Sequence, residues 1–483
     1  HQLEKTIGRH FKKMNTHILS NLTHRLRSKS DFDKISLKKN KRNLILIKDI
    51  LVRNKNLIIK SIVKDSKKNK FDAKSEFLAS VKIWNFVITN INTIKKNEKF
   101  KFSNEERGEI IYRPLGLVAF ITPWNYPLLT LSERLPFCIA TGCNALIKTS
   151  EFSKNFRNIL IKLFNRNKKL TNIIHTLKSS DPRVGNLICN ERNISAISFV
   201  GSTETGKKII KQSSSSLKKI FLELGGKNSA IITKKANLGL SVHKIINAIF
   251  ENGGQACVGI SRLIVHEDIY NKFVDNLTDQ ITSQFRFKRK YFQVPANKKQ
   301  RKKIIQELKY IKKKYKKEIY KVFDIGSKLY TPILIKLKKE NKYFQEKEFF
   351  FPIITIEKFK TLEDSINLNN SSNYGLAAYI FSSNQNEINF LSSKLKAGRI
   401  WHNTSLRWNP KLPVGGFKLS GQDRDMGIQG FDNYLITISE ALPEDLKQHL
   451  VYIKMCPQKR HKICISMLCT CYCIIQTLHS CSY

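Results

Sequence analysis

Glycine placement constrains this chain more than any other feature. Only 21 of its 483 residues are glycine, about 4% against the roughly 7% of ordinary proteins. Ten of those 21 fall in four short stretches: Gly201 and Gly206 in FVGSTETG, Gly225 and Gly226 in LELGGK, Gly253 and Gly254 in NGGQAC, and Gly415, Gly416, Gly421 and Gly427 between PVGGFK and GQDRDMG. A chain this sparing keeps glycine where the backbone must turn tightly or let another group come close. The four stretches are therefore the first places to look for chemistry.

The rest of the composition sets outer bounds. Hydrophobic residues make up 41% and aromatics 10%, enough for packed cores and incompatible with global disorder. The length favours two to three domains. Against 38 acidic residues stand 86 Lys and Arg, a formal charge of +48, which would first suggest nucleic acid or an anionic membrane as partner. The excess, however, is spread along the chain as Lys amid Ile and Asn, with no recognised nucleic-acid motif, so neither partner is expected. Cys138, Cys143, Cys189 and Cys257 are scattered, whereas six cysteines crowd 456–481. Scattered single cysteines suit a reducing compartment. A cytoplasmic location is expected, or a mitochondrial one in a eukaryote. No secretory signal is visible in HQLEKTIGRHFKK, and the apolar run 463–478 is shorter than the roughly 20 residues of a membrane span. No metal site is assigned, and the role of the Cys-rich tail at 444–483 is left open.

Residues 1–100 read as helices with basic outer faces. From 108 to 200 the texture alternates strand and helix: LGLVAFITPW, then NALIKTSE, then AISFV, each strand-like. This rhythm predicts a parallel α/β sheet with crossover helices. A second α/β region is expected over about 227–430, interrupted by a Lys- and Tyr-rich stretch, KKQRKKIIQELKYIKKKYKKEIYKVF, read as a solvated basic helix.

Each glycine stretch carries a candidate role beside a plain one. Gly201 to Gly206 places a strand, a turn and a helix in sequence, as a phosphate-holding helix N-terminus requires; a structural turn fits equally. Glu223, just before Gly225 and Gly226, becomes a candidate general base if apolar surroundings raise its pKa; a surface carboxylate is the alternative. Cys257, behind Gly253 and Gly254, could be a nucleophile whose own N–H faces an oxyanion, or inert packing. Asn125, in TPWNYP, offers a side-chain amide as a second oxyanion donor, or serves the turn between two prolines.

In this order, from about residue 108 to 442, the motifs resemble the aldehyde dehydrogenase superfamily. The resemblance implies an α/β fold with a nucleotide-binding domain (1–95 and 115–226), a catalytic domain (227–430) and a small oligomerisation strand element (96–114 and 431–443). It implies NAD-dependent oxidation of a small aldehyde through a cysteine thiohemiacetal and thioester, by a homodimer or homotetramer. Cys257 matches the nucleophile, Glu223 the general base and Asn125 the oxyanion-hole asparagine. For the cofactor, Lys148, Ser150 and Glu151 stand in KTSE, where Lys and Glu hold the adenosine ribose. Gly201, Ser202 and Gly206 match the turn under the pyrophosphate, and Leu224 the residue whose backbone faces the nicotinamide. Glu348 and Phe350 match the Glu on the nicotinamide ribose and the Phe beside the ring. A carboxylate at Glu151 would repel a 2′-phosphate, favouring NAD over NADP.

By the same resemblance Tyr126, Thr130, Glu133, Ala256, Val258 and Trp408 line the aldehyde tunnel. Glu133 is either a solvent-facing helix residue or a partner for a cationic or amino aldehyde. Departures from the family pattern are Thr149 for Pro, Phe351 for Gly, Asp423 for Gly, Asp425 for Glu, and the Lys-rich segment. Phe351 would crowd its loop or shift Glu348. These changes leave open a catalytically weak relative that only binds dinucleotide.

Overall fold

The computed structural model describes residues 16–28, 35–102, 106–179, 181–287, 293–324 and 330–443, so the Cys-rich tail lies outside the described residues. The chain forms two compact units, His1–Lys95 with Tyr112–Ile436, and Lys96–Ile111 with Thr437–Tyr483.

The larger unit holds two doubly wound sheets. In the first, β3 (Leu117–Thr122), β4 (Asn144–Thr149), β5 (Ile174–Thr176), β6 (Ala196–Val200) and β7 (Lys219–Glu223) run parallel in the order 7-6-3-4-5, and β17 (Gly421–Gln422) adds antiparallel to β7. Both faces are covered, which is why these strands read as continuous apolar runs rather than alternations. Along β3, Val118 and Phe120 enter one core while Leu117 and Ala119 enter the other. The second sheet takes β8 (Asn228–Ile232), β9 (Ile260–His266), β11 (Ile333–Lys336), β12 (Ile353–Phe359), β14 (Ala377–Phe381) and β15 (Arg399–His402) as parallel neighbours in the order 11-12-9-8-14-15. Antiparallel β10 (Ile319–Val322) closes its edge. A short β13 (Tyr374–Gly375) pairs antiparallel with β16 (Phe417–Lys418).

The basic N-terminal region is helical over Leu37–Arg53, Lys55–Ser66 and Lys70–Asn90. The last of these buries Ala73, Glu76, Phe77, Ser80, Ile83, Trp84 and Val87, an i, i+3, i+4, i+7 stripe. Glu76 is the exception on that stripe. Its carboxylate accepts from Lys68 Nζ at 2.7 Å and from the N–H groups of Leu128 and Leu129 at 3.0 and 3.2 Å. Those donors open the short helix Pro127–Ser132, so the buried pair fastens the segment that carries Asn125.

The Lys-rich stretch departs from its reading as one helix. Helix ends at Lys314, and Ile319–Val322 is the edge strand β10, exposed over Tyr320, Lys321 and Val322. In the smaller unit, β1 (Glu98–Lys101) pairs antiparallel with β2 (Glu106–Pro114), and the sheet order is β1-β2-β18 with β18 spanning Leu435–Pro443. Among the described residues no helix is long and apolar enough to cross a membrane.

Candidate active site

The segments that follow the carboxyl ends of β3, β6 and β7 meet those that precede the amino ends of β9 and β12. This is the switch region in which open α/β sheets bind ligands. They enclose a cleft of about 180 Å³, many times the space one water needs. Asn125, Cys257, Glu223, Leu224, Gly201, Ser202, Glu348 and Phe350 all line it.

Local geometry explains the sequence of the cysteine loop. Asn252, Gly253 and Gly254 have φ of +51°, +66° and +76°, three successive left-handed residues that only glycine and asparagine adopt readily. A Cβ on Gly254 would also meet the ring of Pro352 at 2.6 Å, so the glycine lets the cysteine loop close against the 348–352 segment. Asn125 Nδ2 donates to the Gln255 carbonyl at 2.9 Å, and Gln255 Nε2 donates to the Asn252 carbonyl at 2.9 Å. Asn228 Nδ2 donates to the Cys257 and Gly259 carbonyls at 2.8 and 2.9 Å while its Oδ1 accepts from Ala377 N–H. Asn228 is thus a positioning residue for Cys257.

Glu223 does not sit in apolar company. It is 5% exposed, yet its Oε2 is bound by Arg134 Nη2 at 2.6 Å, and the same nitrogen binds Asp425 Oδ2 at 2.6 Å. Arg134 Nη1 also lies 3.7 Å from Glu133 Oε2. Burial, opposed by Arg134, pushes Asp425 up to about 6. Burial, reinforced by Glu223, pushes Glu133 up to about 8. Neither Arg134 nor the burial of Glu133 was read from the sequence. A signal existed: two adjacent charges, SER, interrupt the apolar run PLLTLSERLPFCIA, and charges inside such a run are rare unless paired.

On the other side of Cys257, Gly201 follows β6 and donates its N–H to the Glu223 carbonyl at 3.1 Å. Ser202 caps the helix Thr203–Ser213, its side chain accepting from Thr205 N–H. Glu348 Oε1 accepts from Gly226 N–H at 3.1 Å, and a Cβ on Gly225 would collide with that carboxylate. Enclosure raises the Glu348 pKa. Leu224 donates its N–H to the Ser420 carbonyl at 2.9 Å and lies over Gly206, where a Cβ would meet Leu224 Cδ2 at 2.8 Å. Lys148, Ser150, Glu151 and Gly206 do not line the cleft. The first three sit at or just beyond the carboxyl end of β4, with Lys148 and Ser150 buried and Glu151 exposed. Gln300 and Lys303 do line the cleft. They come from the Lys-rich helix Lys298–Lys314, where nothing in the sequence sets them apart from their neighbours.

Phe351 packs into a core cluster, and Glu348 lines the cleft beside it. The Phe351 ring is 5% exposed and shares that cluster with Ile304, Leu308, Phe344 and Phe349, so the Lys-rich helix supplies the apolar surface that covers it. The left-handed residue of this loop is Phe350, with φ +57°, whose ring meets Trp124 edge-on at 5.8 Å.

Enclosure by the cleft, then Glu223, Glu348 and Glu133, hold the Cys257 thiol well above the ordinary cysteine range; Arg399 opposes them. Thiolate is the alkylating form. Alkylation of Cys257 by iodoacetamide in the protein without dinucleotide is therefore expected to keep accelerating above pH 9 instead of levelling near 8.5. A plateau below pH 9, measured by mass spectrometry of the Cys257 peptide, would contradict this environment.

A thiol, a carboxylate and an amide converge on a cleft at the ends of a doubly wound sheet, an arrangement that α/β enzymes use. Residues 4–438 match the sequence model of the Aldehyde dehydrogenase family. Aldehyde dehydrogenase family 2 member C4 of Arabidopsis thaliana is 33% identical over 347 residues, 70% of this chain and 68% of that protein. The crystal structure of an NAD-dependent aldehyde dehydrogenase from Sinorhizobium meliloti superposes with TM-score 0.82 at 24% identity, over 89% of this chain and 87% of that one. A betaine aldehyde dehydrogenase point mutant from Staphylococcus aureus, in complex with NAD+, gives 0.79 at 25% identity, over 87% and 88%. The chain belongs to the aldehyde dehydrogenase family, oxidoreductases that act on aldehydes.

Proposed function

We propose that this chain oxidises a small aldehyde to the carboxylic acid with NAD as hydride acceptor and Cys257 as nucleophile. The observation that carries the reading is the convergence of Cys257, Glu223 and Asn125 on the same cleft as Gly201, Ser202 and Glu348. The residues present fit a dinucleotide. The first-turn N–H groups of helix Thr203–Ser213 are what an anion needs, Gly225 leaves room beside Glu348 that a Cβ would fill, and the Staphylococcus aureus relative was crystallised with NAD+. Gly201 and Ser202 would hold the pyrophosphate with Gly206 behind them, Glu348 the nicotinamide ribose, Phe350 and the Leu224 backbone the ring, and Lys148, Ser150 and Glu151 the adenosine ribose. When bound, NAD supplies the hydride acceptor.

The protein's own residues do the rest. Cys257 Sγ, as thiolate, adds to the aldehyde carbon, and the oxyanion takes hydrogen bonds from the Cys257 N–H and the Asn125 amide. Loss of hydride converts the thiohemiacetal to a thioester. Glu223 then takes a proton from the water that cleaves the thioester, with Arg134 holding the carboxylate at the cleft wall. In the smaller unit β18 lies at the sheet edge, and Phe100 and Phe102 are exposed at 41% and 66%. An open edge and exposed aromatic rings support pairing with a second copy, hence a homodimer or homotetramer.

The test is NADH formation by purified protein across an aldehyde panel, with the acid product measured beside it. NADH and acid in equal amounts are expected. Dinucleotide binding without NADH from any aldehyde would overturn the reading in favour of a binding-only relative.

A further inference from the structure

Besides the residues proposed to hold the cofactor, the cleft is lined by Tyr126, Thr130, Glu133, Glu251 and Trp408. The ionisable groups of these five are acidic or neutral. Glu133 is 2% exposed, and its Oε1 has no hydrogen-bond partner among the described residues. A buried carboxylate oxygen left without a partner is costly, so this atom marks a place where a donor belongs. Glu251 Oε1 accepts from Tyr126 OH at 2.8 Å, leaving its second oxygen for a further donor.

An adjoining cavity of about 220 Å³ shares Glu251 and Leu406 with the cleft and adds Asp72 to the same wall. Asp72 already accepts from Gln293 Nε2 at 2.6 Å, so its part is long-range attraction. Against Asp72, Glu251 and Glu133 stands Lys244, the one cation among the residues described as lining that cavity. Three other cations are close: Arg134, whose Nη1 lies 3.7 Å from Glu133 Oε2 and whose Nη2 is shared by Glu223 and Asp425, then Lys68 and Arg399. Lys68 is buried in its 2.7 Å pair with Glu76, and Arg399 stacks on the Trp408 ring at 4.1 Å without lining the cleft. Lys303, which does line the cleft, is carried by the same helix as Gln300 and faces Glu348 on the cofactor side.

We infer that the aldehyde side of this cleft selects a substrate bearing a protonated amine, an ω-amino aldehyde, with Glu133 as the hydrogen-bonding counter-charge and Glu251 and Asp72 drawing the cation in. A primary ammonium fits better than a quaternary one, because the unpartnered Glu133 oxygen needs an N–H. The Tyr126 and Trp408 rings already carry Lys68 and Arg399 at 3.5 and 4.1 Å, so it is the carboxylates that are left to meet the cation of the substrate. Burial and the nearby Glu223 hold Glu133 up at about 8, and a bound ammonium supplies a charge that favours its ionised form.

The inference rests on the dehydrogenase reading, so two measurements are paired. The first compares kcat/KM for 3-aminopropanal, butanal and succinate semialdehyde, aldehydes with cationic, neutral and anionic ends. The amine is expected to exceed butanal by about tenfold or more, with succinate semialdehyde below both, and Glu133→Gln is expected to lower the amine-to-butanal ratio by about as much. Equal use of the three, a preference for succinate semialdehyde, or a ratio unchanged in Glu133→Gln would overturn the inference while leaving the dehydrogenase standing. The second measurement needs no turnover: protection of Cys257 from iodoacetamide by n-butylammonium, with n-butanol and butyrate as comparisons. Protection by the amine alone supports the acidic subsite even in a protein that forms no NADH, and equal protection by all three overturns it.

Discussion

In the Cys257→Ala protein, aldehyde turnover falls by about 10⁴-fold or more while dinucleotide affinity stays within a few-fold of the parent. The size of the loss follows from chemistry the cleft cannot replace. Without Sγ no thiohemiacetal forms, and hydride must leave a hydrated aldehyde that nothing has activated. Among the described residues no other thiol can substitute, since Cys138, Cys143 and Cys189 are buried and none lines the cleft. The dinucleotide should still bind because its proposed contacts come from other segments, Gly201 and Ser202 after β6 and Glu348 before β12. The loss of one half-buried sulfur opens little space, so the fold should persist. Steady-state NADH formation reads the first quantity, and quenching of protein fluorescence by NADH reads the second. Residual turnover near the parent level would mean that the convergence on Cys257 has been misread.

Arg134→Leu should cost about 3–5 kcal/mol of stability, the usual consequence of removing one partner from a buried ionic cluster. Its side chain is 2% exposed, and its Nη2 binds Glu223 and Asp425, themselves 7% and 10% exposed. Leucine would leave those carboxylates, with Glu133 beside them, facing one another without a counter-ion. The sign of the pH dependence follows. Without Arg134, the folded-state pKa values of Asp425 and Glu133 rise further above their unfolded values, and they already stand at about 6 and about 8 with the arginine present. A raised carboxylate pKa destabilises the fold where the unfolded chain is ionised, and the penalty fades once both states are protonated. The gap between variant and parent should therefore be widest near pH 8 and narrower near pH 5. Urea denaturation midpoints at the two pH values measure this, and Arg134→Lys, which keeps the charge but loses the fork, should fall between. A gap independent of pH would mean that lost packing, not lost charge pairing, sets the cost.

Much of the architecture can be read without coordinates. The apolar runs of β3, β4 and β6 lie where strands were expected, and the 3.6-residue stripe in EFLASVKIWNFVITNI belongs to the helix Lys70–Asn90. Three of the glycine stretches, with TPWNYP and EFFFP, contribute residues to the cleft wall. Periodicity and turn chemistry depend on neighbours a few residues away, which the sequence displays directly. The resemblance supplied the long-range step, that Asn125, Glu223 and Cys257 stand together, and all three line one cleft.

Charge and burial were decided by contacts that no local pattern contains. Whether Glu223 lies in apolar or ionic surroundings depends on Arg134, 89 residues earlier, and on Asp425 from the far end of the chain. Glu133 could have faced solvent, and the packing of its helix turned it into the cleft. The Lys-rich segment looked like a solvated helix, yet its apolar side covers Phe351 and its Gln300 and Lys303 reach the cleft. The order of residues dictates which elements form and where the backbone can bend, because those preferences are local. The environment of each ionisable group belongs to the tertiary structure, because desolvation and Coulomb interactions depend on distance in space and not on separation along the chain.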